Sequence, residues 1–158
     1  MKYMILTYAS QRDYDEMTGA ATGTAAAPSG PAGTAPVPAG EPAGAAMTAA
    51  DLAALGAFME SFNRDLAESG ELVETRALIA PVHTRRVQLR DGVPVVTDGP
   101  YAETQEVLAG YWIVDCDGYD RATEVAARLA GCPAPPHLAV RAYADVRPLA
   151  DSRFDLDG

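Results

Sequence analysis

Asp98 is the residue whose setting most favours chemistry. It lies in the segment TDGP at residues 97–100, where glycine and proline restrict the backbone that follows it. Held in this way at the mouth of a pocket, the carboxylate could bind a donor group or act as a general base. The alternative is structural: an Asx-type turn, or a cap for a short helical turn over residues 101–105 with Pro100 at its first position.

Histidine is a natural partner for such a carboxylate, because an imidazole titrates near neutral pH. His83 precedes a predicted hairpin, and a loop folded over the sheet end would bring it to Asp98 as a proton-transfer pair. A lone loop histidine is equally well explained as an exposed residue. His137 follows two prolines and is predicted to be a surface residue at the start of a strand.

Four further side chains are candidates for contact with a ligand: Tyr8, Tyr101, Glu103 and Arg147. The two tyrosines could line a pocket, although aromatic residues beside strands are also typical of a core or a subunit contact. Glu103 could form a carboxylate pair with Asp98, or only complement the positive end of a helical turn. Arg147 closes the last strand, where it could bind an anionic ligand or a carboxylate of a neighbouring chain.

Composition and motifs exclude several classes of function. The formal net charge of −10 opposes binding to nucleic acid, and the small basic cluster at residues 85–90 does not reverse it. Two cysteines outside any CxxC pair and two distant histidines offer no metal site, so neither metal nor cofactor is expected. No P-loop, dinucleotide fingerprint or Ser-His-Asp order occurs. No segment has the length of a membrane span or signal peptide, and free thiols suit a reducing compartment, so a cytoplasmic protein is expected.

One segment differs in composition from the rest. Residues 19–46 consist almost entirely of Ala, Gly, Pro, Thr and Ser, with Glu41 as the one charge. Such a stretch buries too little side chain to offset the entropy of ordering it, which predicts a flexible insertion. Residues 1–148 are predicted to form a single domain around this insertion, and residues 149–158 a polar tail.

The remaining chain alternates between strand and helix patterns. Strands are predicted over residues 2–8, 71–80, 85–89, 93–97, 107–116 and 138–146. An Asp-Gly pair joins the third and fourth of these as a hairpin. One helix is predicted from the N-cap Thr48 to Gly70, and a second opens at Asp117 or Gly118. The apolar stripe of the second helix has four members: Ala122, Val125, Ala126 and Leu129.

This order of elements predicts an α+β fold. The two strand-helix-strand units give a ferredoxin-like split βαβ sheet with both helices on one face and an inserted β-hairpin. The other face is then uncovered, and a large apolar patch of this kind commonly binds a second copy of the chain. The side chains expected on that open face are Tyr3, Ile5, Tyr111, Ile113 and Tyr143.

The segment around Asp98 resembles a family hallmark. Residues 95–106 read VVTDGPYAETQE, and residues 110–115 read GYWIVD. Both are similar to the hallmark of DGPF-type proteins in the YCII-related family, roughly VTDGPFAETKE followed by a glycine pair and an aromatic-aliphatic strand. The opening MKYM and the VRP of residues 146–148 match as well. The departures are conservative: Tyr101 for Phe, Gln105 for Lys, and Ala109-Gly110 for the glycine pair.

The resemblance covers the chain apart from the insertion and the tail, and it implies a dimeric α/β barrel of ferredoxin-like fold. It implies much less about activity. Some YCII-type members carry a histidine on the first helix and an aspartate near the end of the second, a proposed catalytic pair. This chain has no histidine on the predicted first helix, and its second ends in Ala130-Gly131-Cys132, so that pair is not carried over.

Two functions stay open at this point. The favoured one is a homodimer that binds a small molecule or acts as an accessory or regulatory protein. DGPF-type genes often neighbour sigma-factor genes, which would suit a regulatory protein partner. The alternative is a cofactor-free hydrolase, lyase or isomerase that uses Asp98 and His83 as acid and base.

Overall fold

The computed structural model describes residues 1–19 and 46–150. Its strands are β1 (Lys2–Ala9), β2 (Leu72–Ala77), β3 (Arg85–Arg90), β4 (Val93–Asp98), β5 (Val107–Asp115) and β6 (Ala144–Pro148). Its helices are α1 (Gln11–Thr18), α2 (Ala49–Glu68), α3 (Tyr119–Ala130) and the short α4 (Pro136–Ala139), and Pro81–His83 form one 3-10 turn. The predicted insertion, residues 19–46, and the predicted tail, residues 149–158, lie almost wholly outside the described residues.

The sheet has four antiparallel strands in the order β2-β5-β1-β6, and β3 pairs with β4 in a separate hairpin. The protein therefore has an α+β fold, as the sequence predicts, with the hairpin inserted between β2 and β5. The two central strands each lead through a helix to an edge strand, an order that is compatible with a ferredoxin-like fold. No helix in the described part of the chain is long and apolar enough to cross a membrane.

The predicted helix signals of α2 and α3 are confirmed. The Thr48 hydroxyl accepts a hydrogen bond from the Asp51 N–H, and the Asp51 carboxylate accepts one from the Thr48 N–H, which makes a capping box. Gly70 follows α2 with φ +75°, a left-handed conformation that glycine adopts without steric penalty. All four members of the α3 stripe are buried, so this helix packs on the sheet.

The core lies between one face of the sheet and the helices α2 and α3. Its buried members are Tyr3, Ile5, Phe62, Leu66, Trp112, Val114, Cys116, Ala122, Val125, Ala126 and Leu129. Phe62, which has no exposed surface, meets the Trp112 ring edge-on at 5.9 Å between centroids. The close packing of α2 is thus concentrated in its C-terminal half, where Phe62 and Leu66 lie.

Helix α1 is an element for which the sequence pattern gives no prediction. Ser10 and Asp13 form a second capping box at its start. The helix is only eight residues long and carries charges on several faces, so it shows no clear apolar period. Its buried residue is a carboxylate, Glu16, whose side chain is 1% exposed.

The prediction of a strand over residues 138–146 is wrong in its first half. Pro136 occupies the first position of α4, where its missing N–H leaves no hydrogen bond unmade, and β6 begins only at Ala144. The placement of His137 at a strand start is wrong for the same reason. It lies in α4, and its Nε2 is 3.1 Å from Oε2 of Glu16.

The β1 side chains on the open face of the sheet differ from those that the sequence predicts. Tyr3 and Ile5 are 3% and 0% exposed in the core beneath the helices, so their assignment to the open face is wrong. The strand alternates its side chains between faces, which leaves Met4 and Leu6 on the open side, opposite Ile113 and Tyr111. Those two β5 residues lie where the sequence predicts them.

The fifth residue predicted for the open face, Tyr143, precedes β6. Its ring stacks on that of Tyr8 at 5.3 Å between centroids, and its hydroxyl donates to the Glu106 carboxylate.

Candidate functional site

A cavity lies between the middle of α2 and the helix-facing side of the sheet. Its floor is formed where β1, β5 and β2 run side by side, at Thr7, Gly110 and Ala77. The absence of a side chain at Gly110 leaves space above the sheet and lets β2 and β5 pair closely. A Cβ at that position would lie 3.0 Å from the Arg76 carbonyl oxygen. A larger residue would therefore force β2 and β5 apart.

The cavity stays open because the side chains beneath α2 are small. The helix is held against the core by Phe62 and Leu66, whereas its middle turns stand over Ala77, Ala109 and Gly110. Residues of this size do not reach the helix, and the space between the layers remains unfilled.

The cavity has a volume of about 520 Å³. This lies within the range of roughly 300–1,000 Å³ that is usual for small-molecule sites. Its walls are contributed by β1, α1, α2, the end of α3 and the approach to β6, and they are mostly apolar and aromatic. The aromatic side chains that line it are Tyr8, Tyr14, Trp112 and Tyr143, and Leu55 and Met59 are among the aliphatic ones.

The polar groups of the lining mostly bond within the protein. Trp112 Nε1 donates to Asn63 Oδ1 at 2.7 Å, a contact between β5 and α2. Thr7 and Thr75 donate their hydroxyl hydrogens to the carbonyl oxygens of Gly110 and Tyr111 at 3.2 and 3.0 Å. The Tyr14 hydroxyl donates to the carbonyl oxygen of Leu78, the residue that follows β2, at 2.7 Å. Most polar groups of the cavity lining therefore already have hydrogen-bond partners within the protein.

The titratable groups of the lining are held in their neutral forms. Burial raises the pKa of Tyr14 and of the Cys132 thiol, since a charged form would lose its hydration. The pKa of Tyr8 is raised first by its hydrogen bond with Asp145 and then by burial. Burial and the Glu106 carboxylate raise the pKa of Tyr143. At neutral pH these four groups therefore bring no charge to the cavity.

A smaller recess of about 180 Å³ adjoins the cavity and shares Tyr8 and Cys132 with it. One side of the recess carries Asp13 of α1, whose Oδ1 lies 2.9 Å from an Arg141 guanidinium nitrogen. Near this pair, Glu16 ties α1 to α4 through His137. Charge is thus present beside the recess, whereas the main cavity is lined by uncharged groups apart from Arg76.

The two predicted catalytic residues lie away from this cavity. Asp98 ends β4, and its Oδ1 is 3.0 Å from Nε of Arg85, both side chains being about three-quarters exposed at 73% and 75%. His83 ends the 3-10 turn and lines a different, 190 Å³ depression with Leu78 and Val107. No hydrogen bond or ion pair in the described part of the chain joins Asp98 to His83, and their catalytic role stays a prediction.

The four predicted ligand-contact residues are dispersed. Tyr8 lines the cavity. Tyr101 lies under the Arg86 guanidinium, 4.8 Å from its ring centroid, in a bend that is not helical. Glu103 is exposed, and its carbonyl oxygen accepts the Arg12 N–H at 3.1 Å. Arg147 lies on β6 opposite Met4, on the open face of the sheet. The structure therefore does not gather these four side chains into one site.

Of the residues that line the cavity, sequence reasoning proposed only Tyr8 as a ligand contact; Asn63, Tyr14 and Trp112 are among those that it missed. Asn63 carried a signal, because it lies four residues after Met59 on the predicted apolar side of α2, where a polar residue needs a partner. No group of three His, Cys, Asp or Glu side chains among the described residues could hold a metal ion.

The comparisons with known proteins identify the family. A model of the YCII-related domain matches residues 1–144. The chain is also similar to the uncharacterized protein R00369 of Rhizobium meliloti strain 1021, with 30% identity over 92 residues that span 58% of this chain and 70% of that protein. The chain belongs to the YCII-related family, which confirms the resemblance at that level. No specific activity comes with the match.

Proposed function

We propose that this protein binds an apolar small molecule in the cavity between α2 and the sheet, and that it does so as a homodimer. The observation that carries the proposal is the cavity itself: a 520 Å³ space with an apolar and aromatic lining. Preformed apolar concavities with a few polar groups are the usual form of a small-molecule site. An accessory or regulatory role would follow if the bound molecule alters a contact with a protein partner.

Filling the cavity tests the proposal. Ala77→Leu places a larger side chain in the lining, whereas Ala53→Leu makes the same change at an exposed position of α2 outside the cavity. Thermal unfolding is measured for the wild type and both variants against a library of uncharged metabolites. A ligand at about a hundredfold its dissociation constant should add about 2.7 kcal/mol, which raises Tm by roughly 5–10 °C.

We expect this rise in the wild type and in Ala53→Leu, and its loss in Ala77→Leu. A ligand that stabilises Ala77→Leu as much as the wild type binds elsewhere, and that result would overturn the assignment of the cavity.

The homodimer is supported by the open face of the sheet. Met4, Leu6, Tyr111 and Ile113 form an apolar centre on the two middle strands, all partly buried in the isolated chain. A second copy placed face to face would remove this apolar surface from water and produce the dimeric α/β barrel that the family resemblance implies.

The flanks of this face carry both signs of charge. Glu74 and Arg76 lie on β2 at one edge, and Asp145 and Arg147 lie on β6 at the other. A partner related by a twofold axis could pair acidic with basic side chains at both edges. Arg147 would then bind a carboxylate of the partner rather than a ligand.

Light scattering on Ile113→Asp should give a monomer where the wild type gives a dimer. A matched change on the exposed hairpin, Val87→Asp, should leave the dimer intact.

Three finer assignments belong to the same proposal. The segment of residues 95–106 supports membership of the DGPF-type branch, and the strand order supports a ferredoxin-like fold. A cytoplasmic location is supported by two cysteines that are both free.

Catalysis by Asp98 with His83 remains the alternative hypothesis. Asp98→Asn separates it from the binding proposal, because it should abolish any turnover and leave binding in the cavity unchanged.

A further inference from the structure

The orientation of the Asn63 amide follows from its neighbour. An indole Nε1–H is a donor only, so the atom of Asn63 that faces Trp112 at 2.7 Å must be the carbonyl oxygen. The amide nitrogen then points elsewhere, with two hydrogens to donate. Asn63 lines the cavity, is half-buried, and makes no other hydrogen bond within the described part of the chain. Because no buried side-chain nitrogen or oxygen there lacks a partner, this nitrogen is not buried. The position of Asn63 in the lining puts it within reach of a molecule in the cavity.

The hydroxyl hydrogens of the lining are already donated to other groups. Those of Thr7, Thr75 and Tyr14 go to backbone carbonyl oxygens, and that of Tyr143 goes to Glu106. The Tyr8 hydroxyl is engaged by Asp145, and the Cys132 thiol is only a weak donor. Among the lining residues that the structure describes, the amide of Asn63 is therefore the strong side-chain donor that a ligand in the cavity can use. Since a hydrogen-bond donor in a mostly apolar site favours a molecule with an acceptor, Asn63 distinguishes such ligands from hydrocarbons of the same shape.

The cavity is unsuited to a charged ligand. Arg76 is the one charged residue of its described lining, but it lies opposite Tyr111, so its side chain is on the open face of the sheet. There the guanidinium is 66% exposed and lies 3.6 Å from Glu74. A carboxylate or phosphate placed among the aromatic side chains would lose its hydration and gain no opposite charge. The aromatic walls and Met59 instead favour contact with the faces and edges of a ring.

We infer that the cavity takes an uncharged, ring-containing apolar molecule whose one hydrogen-bond acceptor is held by the side-chain amide of Asn63. This inference rests on the proposed function and narrows it to a ligand class. Trp112, the one tryptophan of the chain, contacts Asn63, so its indole N–H gives a single resonance that reports on the occupied site.

The test uses three ligands of one ring system that differ in a single property: indane has no acceptor, 1-indanone has an uncharged acceptor, and indane-1-carboxylate has a charge. Dissociation constants are taken from the shift of the Trp112 indole resonance in the full-length protein. 1-Indanone should bind roughly three- to tenfold more tightly than indane, the contribution of one net hydrogen bond. The carboxylate should bind at least about a hundredfold more weakly than 1-indanone.

Asn63→Asp isolates the donor, because aspartate keeps an oxygen for Trp112 and removes the amide hydrogens. At neutral pH the new carboxylate is ionised and accepts but does not donate, so the preference for 1-indanone over indane should disappear or reverse. Equal binding of the two in the wild type, a preference that survives in Asn63→Asp, or tightest binding of the carboxylate would overturn the ligand class while the cavity remains a binding site. If none of the three ligands shifts the Trp112 resonance, the ligand class fails; the proposed function itself fails if the metabolite screen also gives no ligand that is lost in Ala77→Leu.

Discussion

Replacement of Glu16 should destabilise the fold far more than replacement of a comparable exposed glutamate. The Glu16 carboxylate is 1% exposed, and Oε1 lies 3.1 Å from Nε of Arg12 within α1. Its other oxygen lies 3.1 Å from Nε2 of His137, which is 121 positions away in the sequence. The side chain therefore ties the first helix to α4, beside the recess that adjoins the cavity.

The magnitude follows from the contacts that Glu16→Ala removes. A hydrogen bond to a charged group contributes about 1.5–3 kcal/mol. Two such contacts within the described part of the chain are lost, but Arg12 and His137 are 23% and 35% exposed and regain water in the variant. We therefore expect a loss of about 3 kcal/mol in the free energy of unfolding rather than the full sum, which lowers Tm by about 6–12 °C.

The matched control is Glu124→Ala. Glu124 lies 3.0 Å from Arg121 on α3, but the two side chains are 68% and 44% exposed, and Arg121 keeps its second partner, Glu71. Surface pairs of this kind contribute about 0–1 kcal/mol. Urea denaturation followed by Trp112 fluorescence measures both variants. Equal losses in the free energy of unfolding for the two variants would contradict this reasoning, as would a loss below about 1 kcal/mol for Glu16→Ala. Either result would show that burial does not make the Glu16 contacts stronger than those of an exposed pair.

Two further predictions concern the cavity floor and the opposite end of the sheet. Gly110→Ala should cost about 1–3 kcal/mol in urea denaturation, because its Cβ would lie 3.0 Å from the Arg76 carbonyl oxygen. Gly56→Ala, within α2 and with no atom near the new Cβ, should instead stabilise by up to about 1 kcal/mol; the same sign for both would contradict the steric argument. A hydrogen bond from Arg121 lowers the pKa of Glu71 below its ordinary 4.5, so this group stabilises the fold at neutral pH and ceases to do so as the pH falls through the lowered value. The stability difference between wild type and Glu71→Gln should therefore close in acid, and a difference independent of pH would refute it.

The elements that sequence reasoning placed well depend on signals a few residues apart. The two members of the Thr48–Asp51 capping box are three positions apart, and the α3 stripe repeats within one helix. The hairpin follows from Asp91-Gly92, both of which have positive φ, at 51° and 78°. In each of these cases the residues of the element itself are sufficient to indicate its backbone conformation.

Strand β1 shows where such reasoning ends. Its sequence KYMILTYA is apolar on both faces, so alternation does not say which side is covered by helices, and Tyr3 and Ile5 were assigned to the wrong one. Only the antiparallel pairing with β5, together with α2 and α3 above it, decides that these residues are core and that Met4 and Leu6 are open.

The sequence by itself determined the class of fold, the positions of the two long helices and the hairpin, and a specific family motif around Asp98. Tertiary structure alone decided the candidate site. Asn63 and Trp112 are 49 residues apart, and the cavity that both of them line exists because small residues on three strands come to lie under one helix. Such a space depends on which distant residues the sheet register sets side by side, and no local pattern of hydrophobicity encodes it.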